Sequence, residues 1–278
     1  MATVIIPAHN EATVINDCLA SIIHQKRIDK IIVACNGCTD NTADLVKKNY
    51  GHLSQLICLD LSKPSKTHAI NEAEKLADSY PIFYIDADTQ LSPNAIQTIR
   101  TNMQQHKIEL AAPMPNIDTS KSSWLVKQYY KIWLSLPYIK AGVIATCSFV
   151  VSEQGRQRFK HFPDVINDDG FIRCQFQPHE IANIAGSTID IQAPHDVFSL
   201  IKIKTRARLG NMQLTHLGLC THPAPKAYRQ SMRRLIFSTK FVPSLVYYTI
   251  ALLIRVRARL QWRKINQYQW EKDLSSRG

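Results

Sequence analysis

Four short apolar runs in the first 104 residues are each followed by a stretch with helical spacing, and this alternation limits the fold more than any other feature. Thr3-Val4-Ile5-Ile6 is closed by Pro7, and residues 11–23 then place Val14, Ile15, Cys18, Leu19 and Ile22 on one stripe. Ile31-Ile32-Val33-Ala34 precedes a helical stretch over 40–48. Leu56-Ile57-Cys58-Leu59 precedes one over 66–77, and Ile82-Phe83-Tyr84-Ile85 one over 93–104. Unbroken apolar runs fit strands buried on both faces, and the 3.6-residue period fits helices that cover them. Repetition of this unit with short loops predicts an α/β fold with a mostly parallel central sheet and helices on both faces. Right-handed crossovers bring the strand C-termini to one edge, where open α/β sheets bind ligands.

The residues at that edge carry the functional reading. Pro7-Ala8-His9-Asn10-Glu11 follows the first run, Asn36-Gly37-Cys38-Thr39-Asp40 the second, and Asp86-Ala87-Asp88 the fourth. Taken singly, Asn10 reads as a helix cap, Asn36-Gly37 as a turn pair, and the two aspartates as a solvated loop. Their coincidence on one edge favours a site. Asp86 and Asp88, two residues apart in an extended segment, point the same way and suit a hard divalent cation, Mg²⁺ or Mn²⁺, shared with phosphate oxygens. The absence of Gly-x-Gly-x-x-Gly and of Gly-x-x-x-x-Gly-Lys-Ser/Thr argues against a dinucleotide oxidoreductase and a P-loop NTPase. No Gly-x-Ser-x-Gly elbow is present either. A phosphate-bearing ligand without a Gly-rich loop needs cations: the metal, plus Lys or Arg.

The second half reads as helices over 124–136, 168–176 and 197–211, a strand over 142–151, and a linker over 212–225. Trp124, Tyr129, Tyr130, Trp133 and Tyr138 stand at helical spacing and read more readily as core than as a sugar platform.

In order and spacing, the motifs resemble the large family of inverting nucleotide-sugar glycosyltransferases with the GT-A fold, of the family-two type. The matching pieces are Val4 through Glu11, Asn36 through Thr42, Ser65-Lys66-Thr67-His68-Ala69-Ile70-Asn71, Tyr84-Ile85-Asp86-Ala87-Asp88 and Asp168-Asp169. The resemblance implies that Pro7, His9, Asn10, Glu11, Asn36 and Asp40 hold the base and ribose of a nucleotide-sugar donor, with UDP as the expected nucleotide. Asn36 stands where many relatives have Asp, and Asn can still hydrogen-bond a uracil edge. Lys66 would sit near the phosphates, Asp86 would reach the ribose or metal-bound water, and Asp88 would ligate the divalent cation. Asp168-Asp169 resembles the family's Glu-Asp pair, which implies Asp169 as general base and Asp168 as the neighbour that positions the acceptor hydroxyl. Residues 204–211 resemble a segment that carries Gln, Arg, Arg and Trp before a Gly. Arg206 and Gly210-Asn211 match it, while the Gln and Trp are missing. Arg206 would bind the diphosphate, and loss of the Trp favours transfer of single sugars to a smaller or lipid-linked acceptor, in surface polysaccharide or glycolipid synthesis.

Charge adds a partner. From residue 226 on, 12 Lys and Arg stand against 2 acids, so +10 of the formal net charge of +12 lies there. This predicts a domain over 1–225 and a basic, partly apolar helical tail over 226–278, bound to an anionic membrane surface. Nucleic acid is a less fitting partner, since its footprint would spread the charge. No apolar run reaches 18 residues, so no conventional transmembrane helix is predicted. The run over 241–254 fits an interfacial helix. No signal peptide is predicted at the N-terminus. The seven scattered cysteines read as reduced, which points to a cytoplasmic protein, peripheral on the inner face of the membrane. Cys35-x-x-Cys38 reads as loop and strand-end cysteines without zinc, for want of a second such pair. Two other readings compete. A sugar nucleotidylyltransferase would want a Gly-rich, Arg-containing loop after the first strand, which residues 7–11 do not supply. A non-enzymatic basic membrane-binding protein on the same scaffold would have little use for carboxylates at three separate places.

Overall fold

In the computed structural model, which describes residues 1–136, 139, 142–143, 146–220, 241–265, 268 and 275, the first apolar run forms β1 (Thr3–Ala8), buried at every position. β1 pairs in parallel on one side with β2 (Lys30–Asn36), from Thr3 opposite Lys30 to Ala8 opposite Cys35. On its other side it pairs in parallel with β4 (Ile82–Ile85), and β2 pairs in parallel with β3 (Leu56–Leu61). The helices α1 (Ile15–Ile23), α2 (Thr42–Tyr50), α3 (Lys66–Glu74) and α4 (Ala95–His106) intervene, as the periodicity predicts. α1 starts later than expected because Asn10 holds a left-handed φ of 54° and the amides of Val14 and Ile15 turn back onto Glu11 O.

The sheet then continues with antiparallel strands. β7 (Ser148–Val151) lies beside β4, with Tyr84 opposite Phe149, and β6 (Leu110–Asp118) lies beside β7. β8 (Ile181–Gln192) follows, and β5 (Thr89–Leu91) ends the order β3-β2-β1-β4-β7-β6-β8-β5. The sequence predicts neither β5, β6 nor β8. β6 contains Pro113 and Pro115, which read against a strand, and β8 is half-exposed and carries Gly186 at φ 80°. The strand expected over 142–151 is realised only in β7, because Gly142, Val143 and Cys147 hold positive φ that an extended ladder does not accept.

The chain divides into two units: Met1–Asn116, Ala145–Asp164 and Gln175–Ile191 form the first, and Ile117–Ile144, Val165–Cys174 and Gln192–Gly278 the second. The boundary expected between residues 225 and 226 lies outside the described residues. In the first unit, α3 is fixed by two clamps. Asn71 exchanges two 2.9 Å hydrogen bonds with the backbone of Phe162. Glu74 accepts a two-pronged ion pair from Arg156 of α6 (Glu153–Arg156), at 2.8 and 2.7 Å, and the Tyr84 hydroxyl also donates to it.

The second unit is helical: α5 (Trp124–Trp133), α7 (Asp168–Cys174), α8 (Val197–His216) and α9 (Phe241–Trp262). α8 runs through the start of the expected linker; residues 221–225 lie outside the described residues. α9 packs on α5 and α8 through Ser244, Tyr247, Ile250, Ala251, Ile254 and Ala258, one stripe at helical spacing, with Tyr247 5.1 Å from Tyr129. At 22 residues, α9 outruns the expected apolar stretch, since Arg, Ala and Leu propagate a helix well. Contrary to the sequence expectation, it is long and apolar enough to cross a membrane by length and composition. Tyr129, Tyr130 and Trp133 are buried, with Lys204 Nζ 3.3 Å from the Trp133 ring centroid, as the core reading expects, whereas Trp124 is exposed; Tyr138 lies outside the described residues. The expectation that all cysteines are reduced fails at one pair: Cys174 at the end of α7 and Cys220 just past α8 form a disulfide. They lie 46 residues apart, and only the packing of α7 on α8 brings them together.

Glu74→Ala leaves Arg156 and the Tyr84 hydroxyl without their carboxylate and lowers the unfolding free energy by about 3 kcal/mol, as when one partner of a buried pair is removed. Urea unfolding at pH 7 measures this, and Glu74→Gln, which still accepts from Tyr84, loses less.

Candidate active site

Parallel pairing in register sets the loops after β1 and β2 side by side, and their side chains lock them together. Asn10 Oδ1 accepts from the amides of Thr39 (2.7 Å) and Asp40 (3.3 Å), while its Nδ2 donates to Thr39 Oγ1 (3.1 Å). Asp40 answers by accepting from Ala12 N at 3.2 Å and from Thr42 N at 3.0 Å. The amide of buried Glu11 donates to Thr42 Oγ1 at 2.9 Å, and His9 Nδ1 lies 2.6 Å from Asn36 O. Pro7 lies within β1, opposite Ala34. Asn36 is buried and donates through Nδ2 to Ala8 O (2.8 Å) and Ala34 O (3.3 Å). Gly37 turns the chain at φ 56°; a Cβ there would lie 2.7 Å from Pro64 Cβ, so the turn needs glycine. Thr39 and Thr42 lie in the matched segment over 36–42, but the sequence assigns neither of them a role. The Asp40-x-Thr42 spacing of an Asx turn is the signal that marks the second of them.

Lys66 and Asp86 complete this edge of the first unit. Ser65 caps α3, its Oγ accepting from His68 N at 3.3 Å, so Lys66 is the first helical residue. Its Nζ stands 2.7 Å from Asp86 Oδ1, both side chains being part-exposed. Asp86 is the first residue past β4; its amide donates to Cys147 O (3.0 Å), and its carbonyl accepts from Thr89 Oγ1 (2.7 Å). Residues 86–88 form the turn between β4 and β5, which corrects the extended conformation assumed from the sequence. Asp88 nevertheless shares its surroundings with Asp86. The thiol of Cys18, 3.8 Å from Asp86 O, is pushed up by burial and then by the negative charges of Asp88, Asp86 and, more weakly, Glu11. Among the described residues, no group of three or more His, Cys, Asp or Glu gathers as a closed metal cage. Two carboxylates at an open turn fit Mg²⁺ or Mn²⁺, which take their other ligands from water and phosphate oxygens.

The remaining sequence-assigned residues belong to the second unit. Asp168 and Asp169 open α7; Asp168 is buried, and Asp169 Oδ1 accepts from Gly170 N at 2.8 Å. The residues just before them are tied to α8: Ile166 N donates to Gln213 Oε1 (2.8 Å) and Asn167 Nδ2 to Asn211 Oδ1 (2.9 Å). Gly210 makes that approach possible, since a Cβ there would fall 2.3 Å from Asn167 Cβ. Arg206 is half-buried on α8, one turn before Gly210. Asn167 and Gln213 escaped the sequence reading because nothing in their spacing marks them.

Among solved structures, the fold is similar to mannosyltransferase PcManGT from Pyrobaculum calidifontis in complex with GDP-Man and Mn²⁺ (TM-score 0.63, 17% identity, 96% of this chain and 83% of that one). It is also similar to S. aureus TarS in complex with UDP-GlcNAc (TM-score 0.53, 12% identity, 98% and 93%). These likenesses establish the GT-A fold expected from the motifs. In sequence, 98 residues are 32% identical to chondroitin synthase of Pasteurella multocida, covering 35% of this chain and only 10% of that protein. The family model described as Glycosyl transferase family 2 matches residues 3–159, more than half of the chain, and the chain belongs to that family.

Proposed function

We propose that the protein transfers a sugar from a nucleotide-sugar donor to an acceptor hydroxyl with inversion at the anomeric carbon, in surface polysaccharide or glycolipid synthesis. The observation that carries this reading is the edge of the first unit, where two interlocked loops, the Lys66–Asp86 pair and Asp88 gather. Pro7, His9, Asn10, Glu11, Asn36 and Asp40 shape the base and ribose site. The Asn36 oxygen is an acceptor suited to the N–H of a uracil, which supports a UDP-linked donor. Chondroitin synthase as a relative and GDP-Man and UDP-GlcNAc as ligands of fold neighbours support the substrate class without choosing the sugar.

Lys66 and Arg206 meet the diphosphate as charge-assisted donors. Asp88, with Asp86, would hold Mg²⁺ or Mn²⁺; when bound, the cation neutralises charge on the departing diphosphate. Asp169 accepts the proton of the attacking hydroxyl, and Asp168 orients that hydroxyl. A panel of nucleotide-sugars with Mn²⁺ or Mg²⁺ tests the reading: a true donor raises Tm with concentration and releases nucleoside diphosphate. Release of pyrophosphate instead would indicate nucleotidyl transfer and overturn it.

The membrane reading gains support from α9. Opposite its packed stripe, Leu245, Leu252, Leu253, Val256 and Leu260 are exposed, and Arg259, Arg263 and Lys264 stand exposed at its C-terminal end. An apolar face edged with cations suits shallow burial in an anionic leaflet, here the inner, cytoplasmic face. There the enzyme would meet a lipid-linked acceptor.

Asp88→Ala weakens Mn²⁺-dependent UDP binding roughly tenfold or more, the scale of a disturbed metal site, as isothermal titration reads; unchanged affinity removes Asp88 from the metal. Asp169→Asn keeps UDP affinity and lowers turnover by about 10²-fold or more; if Asp168→Asn alone is dead, the two roles exchange. The full chain co-sediments with anionic vesicles at low salt and is released by salt, while Leu252→Asp/Leu253→Asp abolishes binding. Equal binding by that variant, or none by the parent, makes α9 a structural helix only.

A further inference from the structure

Three free cysteines stand on or beside the loop that follows β2. Cys35 is the penultimate residue of β2, Cys38 follows the Gly37 turn, and Cys58 stands on β3 opposite Val33. Alternation along the strands puts Cys58 on the face that Val33 shares with Cys35. Ala8 pairs with Cys35 in the β1–β2 ladder, and its carbonyl oxygen lies 3.6 Å from the Cys38 sulfur, so Cys35 and Cys38 stand beside the same β1 residue. Cys35 is buried, and the other two are part-exposed. The neighbouring Cys35 is the main reason the Cys38 thiol is pulled down to about 6, with the Asn10 amide and His9 adding to it, while Cys38 in turn holds Cys35 up. Cys38, part-exposed, is the thiol an oxidant can reach, and Cys35, buried, is the thiol behind it.

Cys38 is also a fastener. Its sulfur accepts from Asn10 N at 3.5 Å and lies 3.6 Å from Ala8 O, so one atom ties the loop after β1 to the loop after β2. We propose that Cys38 and Cys35 form an oxidation-sensitive pair, converted by a low-molecular-weight disulfide into an intramolecular disulfide that draws the Cys38 sulfur away from Asn10 and Ala8 and loosens both loops. The Cys38 thiolate attacks one sulfur of the oxidant, forming a mixed disulfide and expelling one thiolate. Cys35 then gives up its proton and attacks the Cys38 sulfur, so that the second half of the oxidant departs as thiolate. Two protein thiols are oxidised to one disulfide, and one oxidant disulfide is reduced to two thiols. The consequence for donor binding rests on the nucleotide reading of these loops given above.

The test treats the full chain with oxidised glutathione and maps disulfides by peptide mass analysis after alkylation. It then follows amide exchange over residues 8–12 and 36–42 and titrates UDP with Mn²⁺. A Cys35–Cys38 bond is expected, with faster exchange in both segments and UDP affinity lowered about tenfold, the equivalent of one or two hydrogen bonds, all restored by dithiothreitol. Cys35→Ala should trap glutathione on Cys38. No Cys35–Cys38 bond, a Cys35–Cys58 bond in its place, or a Cys35–Cys38 bond that leaves exchange and affinity unchanged overturns the proposal. A Cys35–Cys38 bond with faster exchange, in a protein that binds UDP in neither state, upholds the thiol pair and brings down the nucleotide reading instead.

Discussion

Everything at the functional edge depends on β1 being paired in parallel on both sides. A strand flanked in register by β2 and β4 must release its chain at the same edge as they do, so three loops of unrelated sequence become neighbours. The burial of all six β1 positions makes that register hard to change, because a one-residue slip would carry Val4 and Ile6 to the opposite face. The loops can then be polar and specialised, since the sheet rather than their own sequence fixes where they start.

That convergence creates an electrostatic problem as well as a site. Asp86, Asp88 and Glu11 all bear on one buried thiol, and such a concentration of carboxylates is stable only beside cations. Lys66 supplies one at 2.7 Å, from a helix terminus that the Asn71 and Glu74 clamps keep from drifting. The clamps on the far part of α3 therefore bear on where its first residue, Lys66, meets Asp86. A ligand that arrives with both metal and diphosphate suits this charge pattern better than a neutral one.

The parallel half of the sheet was legible because each strand is an unbroken apolar run and each helix a clean stripe; Ile31 through Ala34 and Ile82 through Ile85 could hardly be anything else. The antiparallel half was not. β6 hides behind Pro113 and Pro115, β8 shows water one face, and the positive φ of Cys147 that shortens β7 leaves no mark on hydropathy. At the site, the residue types and their edge were legible, whereas their use was not. Asn10 and Asp40 expend much of their hydrogen-bonding capacity on each other's loops, and the Asn36 amide is bound to Ala8 and Ala34. Spacing identifies a polar loop, but it does not say which of its atoms face inward. The Cys174–Cys220 bond was invisible for a related reason, since it joins positions that only tertiary packing brings together.

The second unit applies the same economy to the acid pair. A carboxylate proposed as general base has to be held still, yet α7 is only seven residues long and has little surface of its own to anchor it. Its support comes from α8, a 20-residue helix that reaches residues 166 and 167 through Gln213 and Asn211. The approach is so close at Gly210 that even a methyl group would collide with Asn167. The Gly-Asn pair matched in the sequence segment therefore has a mechanical reading that does not need it to touch substrate. Glycine lets two backbones meet, asparagine bonds across the junction, and the aspartates one and two residues further on inherit their position from that contact. The disulfide from Cys174 to Cys220 ties the other end of α7 to the chain just past α8, so the short helix is anchored at both ends to the long one.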